Sequence, residues 1–536
     1  MGKKSRGKSA PVIAEHKSSE NEGLLHFVHQ LTESGQYQEA LRAALALVER
    51  DSRNPRAHVA IGSLLMQLQQ PHFAAGHLEL AIQLSGQADP ELFEALVMTY
   101  GMAGLATHAL VAARMGMRFS RTPEQQAKFQ KIVGAGEEFL TQAVRGRDIP
   151  LANAEESMLA IERATRAMLV DDPEAARKQA EEATEKTPQW PLPWSNLATL
   201  LFTLDHVPEA LAACEQGLEA VGADEAQLLS TLVRLQAITG READAAGTLA
   251  RLATVGTADP TAAFNVAKGF AIMGDDARVH ELLSTLAVDG GKQLAAVRFM
   301  LGVAGANLGK DEEARGVWRG LAREGMQGAR QFVEMLARNE VPPTPDGRYP
   351  YFSAYELLPG PVLKQLAASA HEDPEAASTG EASKRFPRLT YTLCQMLFEA
   401  DTSPRMAMSL LASMPDAGVV AALDRYAASR LGDDYDRLYA HLLMRAAGVV
   451  DPERPAIVWL KGERHEFALP KLGRHARGQD YADQIRVLRE EATQAQRDGS
   501  SAQAELCLYC LLAYDRENAW ATDQLAQLEA SGPKSE

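Results

Sequence analysis

Residues Trp194–Cys214, WSNLATLLFTLDHVPEALAAC, decide the fold of this chain. Apolar side chains recur every three or four residues on both sides of Asp205, which is the spacing of an amphipathic helix. Ala210 follows Asp205 by five positions and opens the second apolar run. The stretch therefore predicts two short helices joined by a tight turn, with a small residue where the helices cross.

The same pattern recurs along the chain at a nearly constant period. Its small residues are spaced 34 or 35 positions apart: Ala176, Ala210, Ala245, Val279 and Ala314. Each follows its turn residue by five positions, the turn residues being Asp171, Asp205, Gly240, Gly274 and Gly309. Earlier copies place Ala40, Ala74 and Ala109 in the same role, and a weaker late copy has Ala504 after Gly499. A fixed period of this length is typical of stacked repeats of one helical unit.

These repeats resemble the tetratricopeptide repeat family. The residues that match the family pattern in two copies are Trp194, Leu197, Ala198, Asp205, Ala210, Gly62, Ala74 and Ala81. The resemblance implies an all-α fold, an α-solenoid of stacked helix-turn-helix repeats in two blocks. The stretch from Asp424 to Pro455, with the hairpin predicted after it, is similar to C-terminal segments of uncharacterised bacterial tetratricopeptide-repeat proteins and implies no activity.

Stretches outside the repeat register divide the chain. The expected parts are a disordered basic tail at 1–20, an N-terminal repeat block at 21–121, a helical capping or elbow segment at 122–168, a central repeat block at 169–338, a Pro-rich and polar linker at 339–387, and a C-terminal helical region at 388–536 that ends in a repeat-like helix pair. Within the linker, prolines exclude a helix after Val341. The aromatic residues there predict that the segment lies on a surface: Tyr349, Tyr351, Phe352 and Tyr355.

One short element is predicted to be a β-hairpin. Residues 457–469 are rich in β-branched and aromatic side chains on both sides of Lys461 and Gly462. A two-residue turn at these positions places Trp459 opposite Arg464. Because an isolated hairpin is only marginally stable, we expect it to pack on neighbouring helices.

Composition limits the function classes. The chain has 536 residues, of which 46% are apolar, and a formal net charge of −16. This acidic balance disfavours a nucleic-acid partner. Four cysteines fit a reducing compartment, and no apolar signal segment follows the basic N-terminus, so we expect a cytoplasmic protein. The uncharged stretch 95–113 contains Gly104 at an expected turn, which predicts two helices, and we expect no membrane partner.

Motifs that carry chemistry are not found in the sequence. Gly305–Asp311 has the wrong spacing for a phosphate-binding loop, and Asp311 would repel phosphate. Cys507 and Cys510 have metal-type spacing but no second ligand pair, so burial in the last repeat is the favoured interpretation. We therefore expect no catalytic residues, no metal and no cofactor, and predict that the chain is not an enzyme.

The family resemblance instead implies a partner-binding groove lined by the first helices of the repeats. The residues that map onto groove positions are Ser195, Thr199, Phe202, Arg234, Phe264, Lys268, Phe299 and Asn307. Two cations among three phenylalanines suggest a protein or peptide segment that carries acidic and apolar side chains. The alternative for each phenylalanine is burial in the core between repeats.

Two other functions stay open at this point. An enzyme or regulatory subunit would have its site in residues 388–480, with the candidates Trp459, Arg464, His465 and Glu466. A dry, packed hairpin would argue against that site, and a polar cleft would favour it. The second alternative is a self-assembling scaffold, a homo-oligomer, because the open ends of repeat arrays expose apolar faces.

Overall fold

A computed structural model describes most of the chain. The described residues are 10–86, 89–256, 260–286, 294–351, 359–398 without 363, 367–381 and 383, 404–468 without 413, 415–416, 447–449 and 452, and 481–531. They form two compact units, Met1–Leu197 and Ala198–Glu536. The expected boundary at residue 121 does not coincide with this division.

The described part of the first unit is helical. Its helices are α1 (Ala10–Glu33), α2 (Tyr37–Arg50), α3 (Pro55–Gln67), α4 (Pro71–Ser85), α5 (Pro90–Met102), α6 (Ala106–Phe119), α7 (Pro123–Ala143), α8 (Leu151–Leu169) and α9 (Pro173–Lys186). Helix α10 (Pro191–Thr203) crosses the division between the units. Because α1 begins at Ala10, residues 10–20 are helical, contrary to the expected disordered tail. Residues 1–9 lie outside the described residues.

The second unit adds a hairpin to its helices. The repeat helices are α11 (Val207–Val221), α12 (Ala226–Ile238), α13 (Glu242–Leu252), α14 (Pro260–Met273), α15 (Asp276–Leu286), α16 (Leu294–Asn307), α17 (Asp311–Arg323) and α18 (Gln327–Ala337). The C-terminal elements are α19 (Leu389–Gln395), α20 (Pro404–Ala412), α21 (Ala417–Ala428), α22 (Asp434–Ala446), β1 (Ala456–Leu460), β2 (Glu463–Phe467), α23 (Ala482–Arg497), α24 (Ser501–Tyr514) and α25 (Ala519–Ser531).

The predicted turn residues adopt the conformation that ends one helix and starts the next. All five turn residues of the central repeats have positive φ, from 58° at Asp171 to 78° at Gly274. At Asp205, the next backbone N–H, that of His206, donates to the carbonyl oxygen of Leu201 at 2.8 Å. This bond closes the last turn of α10 in the pattern of a left-handed C-terminal cap. The uncharged stretch 95–113 likewise forms the two helices α5 and α6, separated at Gly104.

Small residues lie where the helices of a pair cross. Ala40, Ala74, Ala210 and Ala314 are all fully buried, as the repeat register predicts. At Gly62, an added Cβ would lie 2.8 Å from the side chain of Leu78, so only glycine allows this approach of α3 to α4. The predicted all-α repeat fold is therefore confirmed.

Helix α7 interrupts the register in the first unit. It packs on α6, where Gly116 accommodates the ring of Phe129 and Gly136 approaches Leu110. Helix α8 pairs with α9, so the repeat that contains Ala176 begins at residue 151, inside the expected elbow segment. In the described part of the first unit, α7 is thus an extra helix between the pair α5–α6 and the pair α8–α9.

The C-terminal hairpin has the predicted register. Strands β1 and β2 pair antiparallel, and Trp459 lies opposite Arg464. Ala456, Val458 and Leu460 alternate along β1 and are buried, with the strand packed on α21 and α22. The hairpin therefore belongs to the core of the C-terminal region.

Candidate functional site

The eight predicted groove residues lie in different environments. Phe202, Arg234 and Phe299 are buried, with exposed fractions of 0%, 7% and 8%. The other five are half-buried: Ser195, Thr199, Phe264, Lys268 and Asn307. The buried three do not present a surface to a partner in this structure.

Phe202 and Phe299 are buried in the core, which was the alternative to the groove for each phenylalanine. The ring of Phe202 contacts the edge of Phe386, with the ring centroids 6.1 Å apart at 87°. Phe299 stacks on Phe332 at 5.5 Å and lies 6.4 Å from Trp318. Both phenylalanines therefore stabilise the fold, and the groove assignment fails for them because later parts of the chain cover their faces.

Asn307 contacts a segment of the chain that we name the returning segment, residues 344–351. The backbone N–H of Tyr349 donates to Oδ1 of Asn307 at 2.8 Å, and Nδ2 of Asn307 donates to the carbonyl oxygen of Tyr349 at 3.1 Å. The hydroxyl of Tyr351 donates to the buried carboxylate of Asp276 at 2.6 Å. The prediction that Tyr349 and Tyr351 lie on a surface is confirmed, whereas Phe352 and Tyr355 lie outside the described residues.

Two arginines from downstream segments bind the C-terminal end of α14. The guanidinium of Arg348 donates to the carbonyl oxygen of Gly274 at 3.1 Å and pairs with Asp276. Arg388 donates to the carbonyl oxygen of Ile272. The last carbonyls of a helix have no partner within the helix and carry the negative end of its dipole, so cations are favoured there. Desolvation lowers the pKa of Arg348, but the charge and hydrogen bond of Asp276 outweigh it, so the net pKa is raised and Arg348 stays charged.

Residues 384–391, which we name the second arm, cover the same edge of the repeats further towards α10. Arg385 pairs with the carboxylate of Asp205 at 2.5 Å, and Phe386 is buried against Phe202. Pro387 lies where an added Cβ at Gly240 would approach it to 2.9 Å. The two segments also meet, because the hydroxyl of Tyr391 donates to Asp346 at 3.0 Å. Parts of the expected linker 339–387 are therefore packed on the central repeats.

Phe264 and Lys268 lie on α14, beside the end that the arginines bind. They are one helical turn apart, and Nζ of Lys268 lies 5.3 Å from the ring centroid of Phe264. A further turn along the same face is Ile272, whose carbonyl Arg388 binds. The surface of α14 is therefore half-buried at Phe264 and Lys268, whereas its C-terminal end is covered by downstream segments of the chain.

The candidates for a C-terminal enzyme site do not form a polar cleft. The guanidinium of Arg430 stacks 4.0 Å above the Trp459 ring, and Arg437 donates to the Trp459 carbonyl oxygen at 2.7 Å. Arg464 and Glu466 are exposed and His465 is half-buried on β2. This packed arrangement argues against a site at the hairpin.

Cys507 and Cys510 lie on α24 as buried small residues, as the sequence favours. Burial raises the pKa of the Cys507 thiol to about 12, mainly through desolvation. Burial also raises the pKa of the Cys510 thiol, so both thiols are protonated at neutral pH. Among the described residues, no three His, Cys, Asp or Glu side chains are grouped so that they could hold a metal ion. No described helix is both long enough and apolar enough to cross a bilayer.

Comparison with known proteins gives matches in solved structures alone. No family model matches the chain, and no curated protein matches it. A tetratricopeptide repeat protein from Parabacteroides merdae is 12% identical, covers 53% of this chain and 98% of its own, and has a TM-score of 0.30. The TPR domain of P58(IPK) is 14% identical over 60% of this chain and 98% of its own, with a TM-score of 0.23.

A third match is YrrB, described as a TPR protein with an unusual peptide-binding site, at 12% identity over 45% of this chain and 96% of its own, with a TM-score of 0.20. Structural similarity at TM-scores this low does not support an assignment of fold, so the fold is assigned from the geometry of this chain. The paired helices, the turns at positive φ and the buried crossing residues identify the described repeats of both units as stacked helix-turn-helix pairs, an all-α repeat fold.

Proposed function

We propose that this chain is a non-enzymatic interaction scaffold whose central repeats bind a protein segment with acidic and apolar side chains at Phe264 and Lys268. The observation that carries the proposal is the cation–aromatic pair on α14, with Nζ of Lys268 5.3 Å from the Phe264 ring. A half-buried phenylalanine offers contact area to an apolar side chain, and the ammonium offers a partner for a carboxylate.

The neighbouring contacts support a protein partner in particular. At the end of α14, the returning segment already binds through a backbone hydrogen bond at Tyr349 and through the side chains of Arg348 and Tyr351. The same edge is therefore suited to recognising polypeptide. Thr199, half-buried on α10, stays part of the groove proposed in the second unit, whereas Phe202, Arg234 and Phe299 do not. Ser195 lies in the first unit and is not used in this proposal.

The test compares two charge reversals of the same kind. Lys268→Glu reverses the proposed contact, and Arg319→Glu reverses an exposed cation on α17 as the matched control. Arg234→Glu is unsuitable, because it would place a carboxylate at a buried position. Affinity purification with quantitative mass spectrometry should find a protein that is retained by the wild type and by Arg319→Glu and is lost with Lys268→Glu. Equal recovery on all three chains would refute the site.

Two further properties belong to the proposal. All four cysteines are free and buried, which supports a reducing, cytoplasmic location. A homo-oligomer stays possible, and light scattering at micromolar concentration tests this self-assembling alternative, which a constant monomer mass would contradict. A mass that rises with concentration would favour the homo-oligomer.

A further inference from the structure

The first unit contains a cleft of about 480 Å³ lined by side chains of α4 and α8. Three apolar side chains at this cleft are unusually exposed for their size: Phe73 by 47%, Leu169 by 44% and Val170 by 65%. Apolar side chains gathered at a concave surface are typical of an interaction site, whereas single exposed ones are ordinary.

Polar contacts beside the cleft join α8 to α6 and to α4. The carboxylate of Glu162 on α8 accepts hydrogen bonds from the backbone N–H groups of Thr107 and His108, at 2.8 and 2.9 Å, at the N-terminus of α6. Arg166 of α8 pairs in bidentate geometry with Glu79 of α4, at 2.6 and 3.0 Å. A negative group at a helix N-terminus and a bidentate arginine pair are both favourable and directional. The cleft is therefore preorganised.

The charge of the lining is opposite to that of the whole chain. Among the described residues that line the cleft, Arg163 and Arg166 are cations and none is a carboxylate, although the chain carries a net charge of −16. Burial lowers the pKa of His72 and of His77, so both rings are neutral near pH 7 and contribute aromatic surface. Arg166 is already paired with Glu79, which leaves the exposed Arg163 as the cation best placed for a ligand.

We propose that this cleft is a second docking site, for a partner-protein segment that inserts a large apolar side chain and carries a carboxylate next to it. The apolar side chain would pack against Phe73, Leu169 and Val170, and the carboxylate would pair with Arg163. The site lies in the first unit and is separate from the surface proposed on α14. It is formed by α4 and α8, on either side of the inserted helix α7 in sequence, and does not depend on the groove residues of the central repeats.

The experiment selects peptides on the purified full-length chain from a random 16-residue phage library and measures the enriched peptides by fluorescence polarisation. Two variants probe the site, Arg163→Glu and Val170→Asp. Their matched controls on α2 are Arg42→Glu and Leu45→Asp, which make the same changes at exposed positions away from the cleft. Circular dichroism checks that all four variants are folded.

The expected result is a set of peptides with a large apolar residue beside Asp or Glu. These peptides should lose at least tenfold in affinity with Arg163→Glu and with Val170→Asp, and keep it with both controls and with Lys268→Glu. Loss with Lys268→Glu alone would assign the peptides to the α14 surface and overturn the present proposal. Failure to enrich peptides, or enrichment of basic ones, would overturn it as well. Saturable binding of decanoate with no peptide binding would identify a small amphiphile as the occupant and contradict a protein partner.

Discussion

Replacing Phe386 with alanine should release the second arm from the central repeats. The Phe386 side chain is 1% exposed and packs edge-to-face on Phe202. Truncation of a buried phenylalanine costs about 3–5 kcal/mol. Because the arm covers the repeats and contributes none of their helix pairs, we expect most of this loss to appear as local opening. At about 1.4 kcal/mol per tenfold, amide exchange in Leu389–Gln395 should become about a hundredfold faster or more.

Arg385→Ala is the matched comparison next to it in sequence. Its side chain is half exposed, pairs with Asp205 and lies 5.1 Å above the Phe386 ring. Exposed ion pairs contribute about 0–1 kcal/mol, and an exposed cation–aromatic contact contributes about as much. Hydrogen–deuterium exchange by mass spectrometry on both variants should therefore show a much larger effect for Phe386→Ala. Equal effects, or faster exchange spread over all repeats α11–α18, would refute the reasoning.

Three further predictions test local features of the fold. Gln69→Gly should stabilise the chain by about 0.5–1 kcal/mol in urea unfolding, since Gln69 is exposed and has φ of 58°; a loss of stability would contradict the turn assignment. Gly302→Ala should lower the free energy of unfolding by about 1–3 kcal/mol in the same assay, because its Cβ would lie 2.4 Å from the Trp318 ring nitrogen. Gly316→Ala is the control, which should be neutral or stabilising because no atom lies within 4 Å of its added Cβ. Burial lowers the pKa of His441, so the unfolded chain binds more protons than the folded chain, and the free energy of unfolding should fall as pH drops below about 6.5. In a series of urea unfolding experiments at different pH, His441→Gln should show a shallower fall. An identical slope for both chains would contradict this origin.

The repeat geometry follows from local rules, which is why the sequence predicts it well. A residue at positive φ ends one helix, and a small residue five positions later lets the next helix approach, so Asp205 and Ala210 are readable without knowledge of distant parts. The hairpin register is equally local, because the two-residue turn at Lys461 and Gly462 places Trp459 opposite Arg464.

Contacts between distant segments could not be predicted in this way. The position of Phe202 in its repeat gives the face of the helix, but only the folded chain places Phe386 against that face. The aromatics of the returning segment indicated that it lies on a surface and gave no sign that Asp276 and Asn307 bind it. The cleft in the first unit was likewise missed, because it needs α8 to reach Glu79 after α7 has interrupted the register.

The contact of Phe386 with Phe202 also determines when Phe202 can become covered during protein synthesis. The chain is made from its N-terminus, so Phe202 leaves the ribosome well before its covering residue exists. At ~5–20 residues per second, translation from residue 202 to residue 386 takes about 10–40 s. During that time the nascent central repeats present an aromatic side chain that the finished protein hides. A messenger truncated between these positions would yield a product with this exposed edge, which is the kind of surface that chaperones and proteases recognise.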